Sequence, residues 1–166
     1  MVETQAIVVL DFGAQYSQLI ARRIREQSVF SVVLPCTASV NEIRSYSPIG
    51  IVLSGGPSSV YDKDAPNTDR RVFDLGVPVL GICYGLQLMV HVLGGKVRAA
   101  DKREYGHANV EIKNASRLFH GLPQKLNVWM SHGDEAVELP PGFHLTATSP
   151  NALAAIETYR EASVGR

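Results

Sequence analysis

The 166 residues have the length of one domain, and 45% hydrophobic against 19% charged residues is enough apolar material for a core, which excludes a disordered chain. Sixteen basic and sixteen acidic residues cancel, so charge directs the chain to no nucleic acid, acidic partner or membrane surface. Two cysteines make no disulfide framework, no signal-peptide pattern opens the chain and no apolar stretch is long enough to span a bilayer, so a cytoplasmic protein is expected.

Ile7-Val8-Val9-Leu10 is an apolar run ending at Asp11 and predicts a buried first strand. Tyr16, Leu19, Ile20 and Ile24 recur at helical spacing over 16–27, with Arg22, Arg23 and Arg25 mostly on the other side. The arginines could bind phosphate, but a solvated helix face accounts for them more simply. Val29 to Leu34 predicts a second strand, stopped by Pro35. Ser39-Val40-Asn41-Glu42 has the spacing of a capping box and starts a short helix. Ile49 to Leu53 predicts a third strand running into Ser54-Gly55-Gly56-Pro57, and Thr68 to Leu75 reads as a helix ended by Gly76. Val77 to Leu80 then leads into Gly81-Ile82-Cys83-Tyr84-Gly85 and a helical pattern over 86–93, closed by Gly94-Gly95. Beyond Gly95 the pattern alternates in 108–113 and in parts of 127–130 and 144–148, which predicts half-buried antiparallel strands.

Apolar strands alternating with helices predict an α/β fold: a mostly parallel central sheet with helices on both faces, plus a smaller antiparallel sheet. In such sheets function collects at the carboxyl ends of the strands. Asp11-Phe12-Gly13, Ser54-Gly55-Gly56-Pro57 and Cys83 all fall at such ends. G-x-C-x-G between strand and helix is the thiol form of a nucleophile elbow, with glycines where the tight turn leaves no room for side chains. The helix N-terminus there favours the thiolate. The competing interpretation is a small, buried structural cysteine.

A thiol nucleophile needs oxyanion donors, a base and a group that orients the base. By position the Tyr84 N–H is one donor, and the Gly56 N–H, at a glycine-rich strand end, is the second. Ser54-Gly55-Gly56 does not match a phosphate loop, because no Gly-Lys-Ser/Thr follows. Among five histidines, His91 lies about 12 Å along the elbow helix from Cys83, too far to serve it. His120 and His144 fall at a turn and a strand start. His107 and His132 stay open as bases, although a lone loop histidine is more often merely exposed. No zinc spacing links His and Cys, so no metal is expected.

With these motifs the chain resembles the class I (triad) glutamine amidotransferases, and within them the amidotransferase domains of the GMP synthase family. The resemblance runs from Ile7 to about Ile156. It is carried by Asp11-Phe12-Gly13-Ala14-Gln15-Tyr16, Leu53-Ser54-Gly55-Gly56-Pro57, Gly81-Ile82-Cys83-Tyr84-Gly85-Leu86-Gln87, Arg103-Glu104-Tyr105-Gly106 and Val128-Trp129-Met130-Ser131-His132-Gly133-Asp134. The resemblance implies that Cys83 attacks the side-chain amide of L-glutamine, giving a γ-glutamyl thioester and ammonia. It implies an oxyanion hole at Gly56 and Tyr84, and Gln87, Ser131, Gly133 and Asp134 holding the amino and carboxylate ends of glutamine. It implies no cofactor in this domain. The implied partner is an ATP-pyrophosphatase domain, fused or separate, that uses ATP and Mg2+ to aminate XMP to GMP.

The family's base and its orienting acid lie in a His-Pro-Glu segment near the C-terminus of the domain, and this sequence contains none. The expectation is therefore an amidotransferase domain over 1–166, truncated before its last strand and poorly active. His132 matches a family position that is not the base. Two alternatives are a triad-deficient glutamine-binding or regulatory module, and another cysteine hydrolase on the same scaffold with His107 or another residue as base. Arg103-Glu104-Tyr105-Gly106 reads either as a contact with the partner domain or as an ordinary β-turn.

Overall fold

The computed structural model describes residues 4–114, 116–150 and 152–158, in two compact units, Met1–Met89 and Val90–Arg166. In the first unit β1 (Ala6–Asp11), β2 (Phe30–Pro35), β3 (Pro48–Leu53) and β4 (Val79–Gly81) form a parallel sheet of order β2-β1-β3-β4. β1 is flanked on both edges, Leu10 lying between Leu34 and Leu53. It is buried on both faces as well, which is why it is a continuous apolar run: Val8, Val9 and Leu10 are all 0% exposed. Alternation turns Ile7 and Val9 toward α1 (Ser17–Glu26), where they cluster with Ala21, Ile24 and Val52. Val8, Leu10, Ile51 and Leu53 fill the opposite face.

α1 is rotated from the expected orientation. It buries Ser17 and Ala21, whereas Tyr16 and Leu19 are exposed. The cause is polar: the Ser17 hydroxyl donates to Asp11 Oδ1 at 2.8 Å, and the same oxygen accepts the Gly13 N–H at 2.9 Å. These bonds set how the chain enters the helix. Leu19 instead lines an open apolar hollow with Leu80 and Ile82. Arg22 and Arg23 pair with Glu26, and Arg25 donates to the Ser31 carbonyl, so the arginines form the solvated face.

α2 (Val40–Ser45) starts where the capping pattern places it, with Ser39 Oγ accepting the Glu42 N–H at 3.1 Å. The helix expected over 68–75 shrinks to a 3-10 turn, Arg70–Asp74. The Asp69 carboxylate caps it by accepting the Arg71 N–H at 2.9 Å, and Gly76 at φ +75° ends it, which leaves room for a single turn.

α3 (Tyr84–Val92) begins two residues before the expected helix. In the second unit β5 (Lys96–Ile112), β6 (Lys125–Glu138), β7 (Phe143–Thr148) and β8 (Leu153–Thr158) form an antiparallel sheet of order β6-β5-β7-β8. β5 is longer than its alternating segment because the register slips within it. Ala99 pairs with Asp134 and Glu104 with His132, so Ala100 to Arg103 lie opposite Gly133 alone. Arg103-Glu104-Tyr105-Gly106 is thus strand rather than an isolated turn. Among the described residues no helix is long and apolar enough to cross a membrane.

Candidate active site

Cys83 stands between the end of β4 and the start of α3 at φ +50°. A non-glycine residue in this left-handed region costs about 1–2 kcal/mol and persists only where its surroundings impose it. Here the end of β3 does so. The Ile82 N–H donates to the Leu53 carbonyl at 3.0 Å, and the Gly85 N–H to the Ser54 carbonyl at 3.1 Å. A Cβ on Gly85 would lie 2.3 Å from the Leu53 carbonyl oxygen, and one on Gly81 2.6 Å from the Leu86 nitrogen. Both glycines of the elbow are required by space.

The loop after β3 packs against Cys83. A Cβ on Gly55 would touch Cys83 Cβ at 3.4 Å, and one on Gly56 would lie 2.4 Å from the Phe12 carbonyl oxygen. Ser54 is fully buried; its Oγ accepts the Phe12 N–H at 2.9 Å and donates to the Gly55 carbonyl at 3.0 Å. The ends of β1 and β3 and the turn after β4 are therefore bound together along one edge of the sheet. Tyr84 anchors that edge, its hydroxyl donating to the Pro66 carbonyl at 2.5 Å and its ring 5.6 Å from that of Phe12. As the first residue of α3, Tyr84 has no intrahelical acceptor for its N–H. No backbone acceptor among the described residues takes the Gly56 N–H. Gln87, buried one turn further along, donates its N–H to the Cys83 carbonyl at 3.0 Å and so shares the helix side of Cys83.

Burial pushes the Cys83 thiol up from its ordinary value. The shift is opposite in direction to the thiolate expected at a helix end, and burial is its cause. Cys36 is raised as well, by burial and then by the Asp11 charge. All five histidines of the sequence lie at position 91 or beyond, so the elbow unit holds none. His107, in the second unit, donates Nδ1–H to Asn127 Oδ1 at 3.1 Å and sets its ring edge-on to Trp129. Among the described residues no three His, Cys, Asp or Glu side chains group as a metal site.

Gly56, Cys83, Tyr84 and Gln87 are brought together within the first unit. Ser131, Gly133 and Asp134 sit on β6 of the second, at the register slip. Beyond them Glu135, 9% exposed, takes Arg98 Nε and Nη2 on one oxygen, each at 2.8 Å. Ser54 and Phe12 lie in motifs noted at the strand ends, but those motifs assigned neither a role in building the site. The available signal was a serine immediately before Gly-Gly at a strand end.

A parallel α/β sheet with a thiol at a strand-to-helix elbow on its carboxyl edge is the arrangement that nucleophilic cysteine chemistry uses. The profile of the glutamine amidotransferase class-I family matches residues 8–165, and the chain belongs to that family. It is 58% identical over 149 residues to a glutamine-hydrolysing GMP synthase of Listeria welshimeri, covering 90% of this chain and 29% of that one. It is 53% identical over 152 residues to the corresponding protein of Brachyspira hyodysenteriae, with 91% and 30% covered. The chain thus spans less than a third of the length of these curated relatives. A crystal structure from Thermoplasma acidophilum, provisionally described as one subunit of a GMP synthase, superposes with a TM-score of 0.80 at 30% identity, covering 94% of this chain and 79% of that one. A glutamine amidotransferase from Thermotoga maritima shares the fold, with a TM-score of 0.69 at 20% identity over 93% of this chain and 74% of that one.

Proposed function

We propose that this chain is the glutaminase domain of a glutamine-hydrolysing GMP synthase. The observation that carries the proposal is Cys83 at φ +50°, held against the Gly55-Gly56 loop by the end of β3. Cys83 Sγ attacks the side-chain amide carbon of L-glutamine. The amide nitrogen takes a proton, the C–N bond breaks and ammonia leaves, with a γ-glutamyl thioester remaining. Water then adds to the thioester, the C–S bond breaks, and glutamate departs from the restored thiol. The Gly56 and Tyr84 N–H groups receive the oxyanion of each tetrahedral intermediate, where losing one donor costs about 3 kcal/mol. Gln87, Ser131, Gly133 and Asp134 hold the amino and carboxylate ends of glutamine. This chemistry needs no cofactor in the domain.

Identities of 58% and 53% to GMP synthases support delivery of the ammonia to XMP by an ATP-pyrophosphatase part that uses ATP and Mg2+. The greater length of those relatives supports fusion of the two parts. Two free cysteines fit a reducing, cytoplasmic setting. A raised thiol needs a base, and the sequence contains no His-Pro-Glu segment, so the 166-residue chain is expected to turn over glutamine slowly.

The test is incubation with 6-diazo-5-oxo-L-norleucine, a reactive glutamine analogue, followed by intact-mass and peptide mapping. One adduct on Cys83 is expected, suppressed by glutamine and absent from Cys83→Ala. An adduct on Cys36, or none, would overturn the thiol mechanism. Glutamine binding by calorimetry without any adduct would identify a non-catalytic binding module.

A further inference from the structure

The ribbon formed by β5 and β6 has two unlike faces. Val110 is buried and Ala108, Val128 and Met130 are half-buried, whereas Tyr105, His107 and Trp129 alternate with them and are exposed. Tyr105 is 65% exposed and Trp129 67%. Large aromatic rings left this open in a pair are unusual on a surface that meets only water. They are also not loose. His107 lies directly opposite Trp129 in the register, and their rings meet edge to face, with centroids 5.2 Å apart and planes 77° apart. The Nδ1–H bond to Asn127 fixes the histidine in turn. Gly106, between Tyr105 and His107, stands at φ +101° with open space where a side chain would be. The result is a pre-organised aromatic platform, the kind of surface that anchors protein interfaces.

Two observations select the occupant. The relatives extend far beyond the matched segment, which is 29% of the Listeria welshimeri protein, so a GMP synthase polypeptide carries a large further part that must meet this domain. The platform is also continuous with the glutamine-holding segment. Trp129 and Ser131 are two positions apart on β6, and Tyr105 pairs with Ser131. A partner that consumes ammonia gains by resting on the strand that holds glutamine, and a second copy of this domain gains nothing comparable. We propose that Tyr105, His107 and Trp129 form the surface on which the ATP-dependent, XMP-aminating part of the enzyme docks, an inference that rests on the function proposed above.

The test places the photo-cross-linker p-benzoylphenylalanine at position 129 of the full-length polypeptide carrying this domain. Cross-linked peptides are expected to come from the ATP-pyrophosphatase part. Cross-links confined to this domain, or joining two copies through the same platform, would overturn the proposal. A second measurement compares GMP formation from glutamine with GMP formation from free ammonia. Trp129→Ala is expected to lower the glutamine-dependent rate at least tenfold with the ammonia-dependent rate within twofold, and Trp129→Phe to restore most of it. An equal fall in both rates, or none, would overturn it. Cross-linking needs no glutaminase turnover, so an inactive Cys83 would refute the functional proposal and still leave the docking surface measurable.

Discussion

Replacing Gly85 by Ala is the sharpest probe of how the elbow is held. The new Cβ would lie 2.3 Å from the Leu53 carbonyl oxygen and 2.7 Å from Leu53 C and Cβ, all on or beside the backbone of β3, which has no free rotamer to swing away. The first turn of α3 has to move off the strand. That motion breaks the Gly85 N–H bond to Ser54 and stretches the Ile82 bond to Leu53. Two such bonds are worth about 1 kcal/mol each net, and overpacking adds about 1–3 kcal/mol. The gain in helix propensity returns about 1 kcal/mol, so the net loss is about 2–4 kcal/mol. For a chain of this size each kcal/mol lowers the melting temperature by about 2–4 °C, giving a fall of about 4–16 °C. Gly76→Ala is the control: φ is +75° but nothing lies within 4 Å, so only the backbone conformation opposes it, at about 1 kcal/mol. Thermal unfolding by circular dichroism measures both. If Gly85→Ala melts within 2 °C of the parent, or no lower than Gly76→Ala, the steric account of the elbow is wrong.

Because burial raises the Cys83 thiol, alkylation by iodoacetamide is expected to keep climbing past the ordinary thiol range rather than level off near neutrality; an early plateau would contradict this. The same shift makes the unfolded thiol ionise first, so its contribution to stability is whole below the unfolded value and is lost as pH rises through the folded one. Ser54→Ala orphans the buried Phe12 N–H and is expected to cost about 1–3 kcal/mol in urea unfolding and to slow labelling of Cys83 by the glutamine analogue; unchanged values of both would remove Ser54 from the site. Asp69 is held at about 2, first by the Arg71 side-chain hydrogen bond and then by the Arg71 N–H, so NMR titration of Arg71→Ala should move it toward the usual value near 4 with no measurable change in melting. Free imidazole is expected to raise glutaminase turnover of the 166-residue chain in proportion to its concentration, with no effect on Cys83→Ala. A flat response would mean that the missing base is not what limits the thiol.

What could be read from the sequence was whatever depends on neighbours along the chain. The apolar run of β1, the Ser39 cap and the G-x-C-x-G elbow each carry their cause within a few residues, and each appears where spacing places it. The rotation of α1 was not legible, because a hydroxyl bond from Ser17 to Asp11 decides it and a hydrophobic pattern does not register that bond. The full length of β5 was hidden for a different reason: four residues opposite Gly133 alone break the register and the alternation that marks a strand. The clamps around the nucleophile were equally out of reach. Ser54 meets Phe12 across 42 residues and Tyr84 meets Pro66 across 18, and only the folded sheet brings these partners together.

The clamps explain why the elbow is both rigid and quiet. The turn that sets Cys83 at φ +50° also leaves it partly buried, and burial raises its pKa. The aimed group therefore stays mostly protonated at neutral pH, below the few per cent of thiolate that a free cysteine shows. The unit that builds the elbow holds no histidine to change this. On the function proposed above, the elbow aims the thiol and activation has to come from a base outside that unit. On that proposal, a thiol that is positioned but protonated hydrolyses little glutamine until a base reaches it.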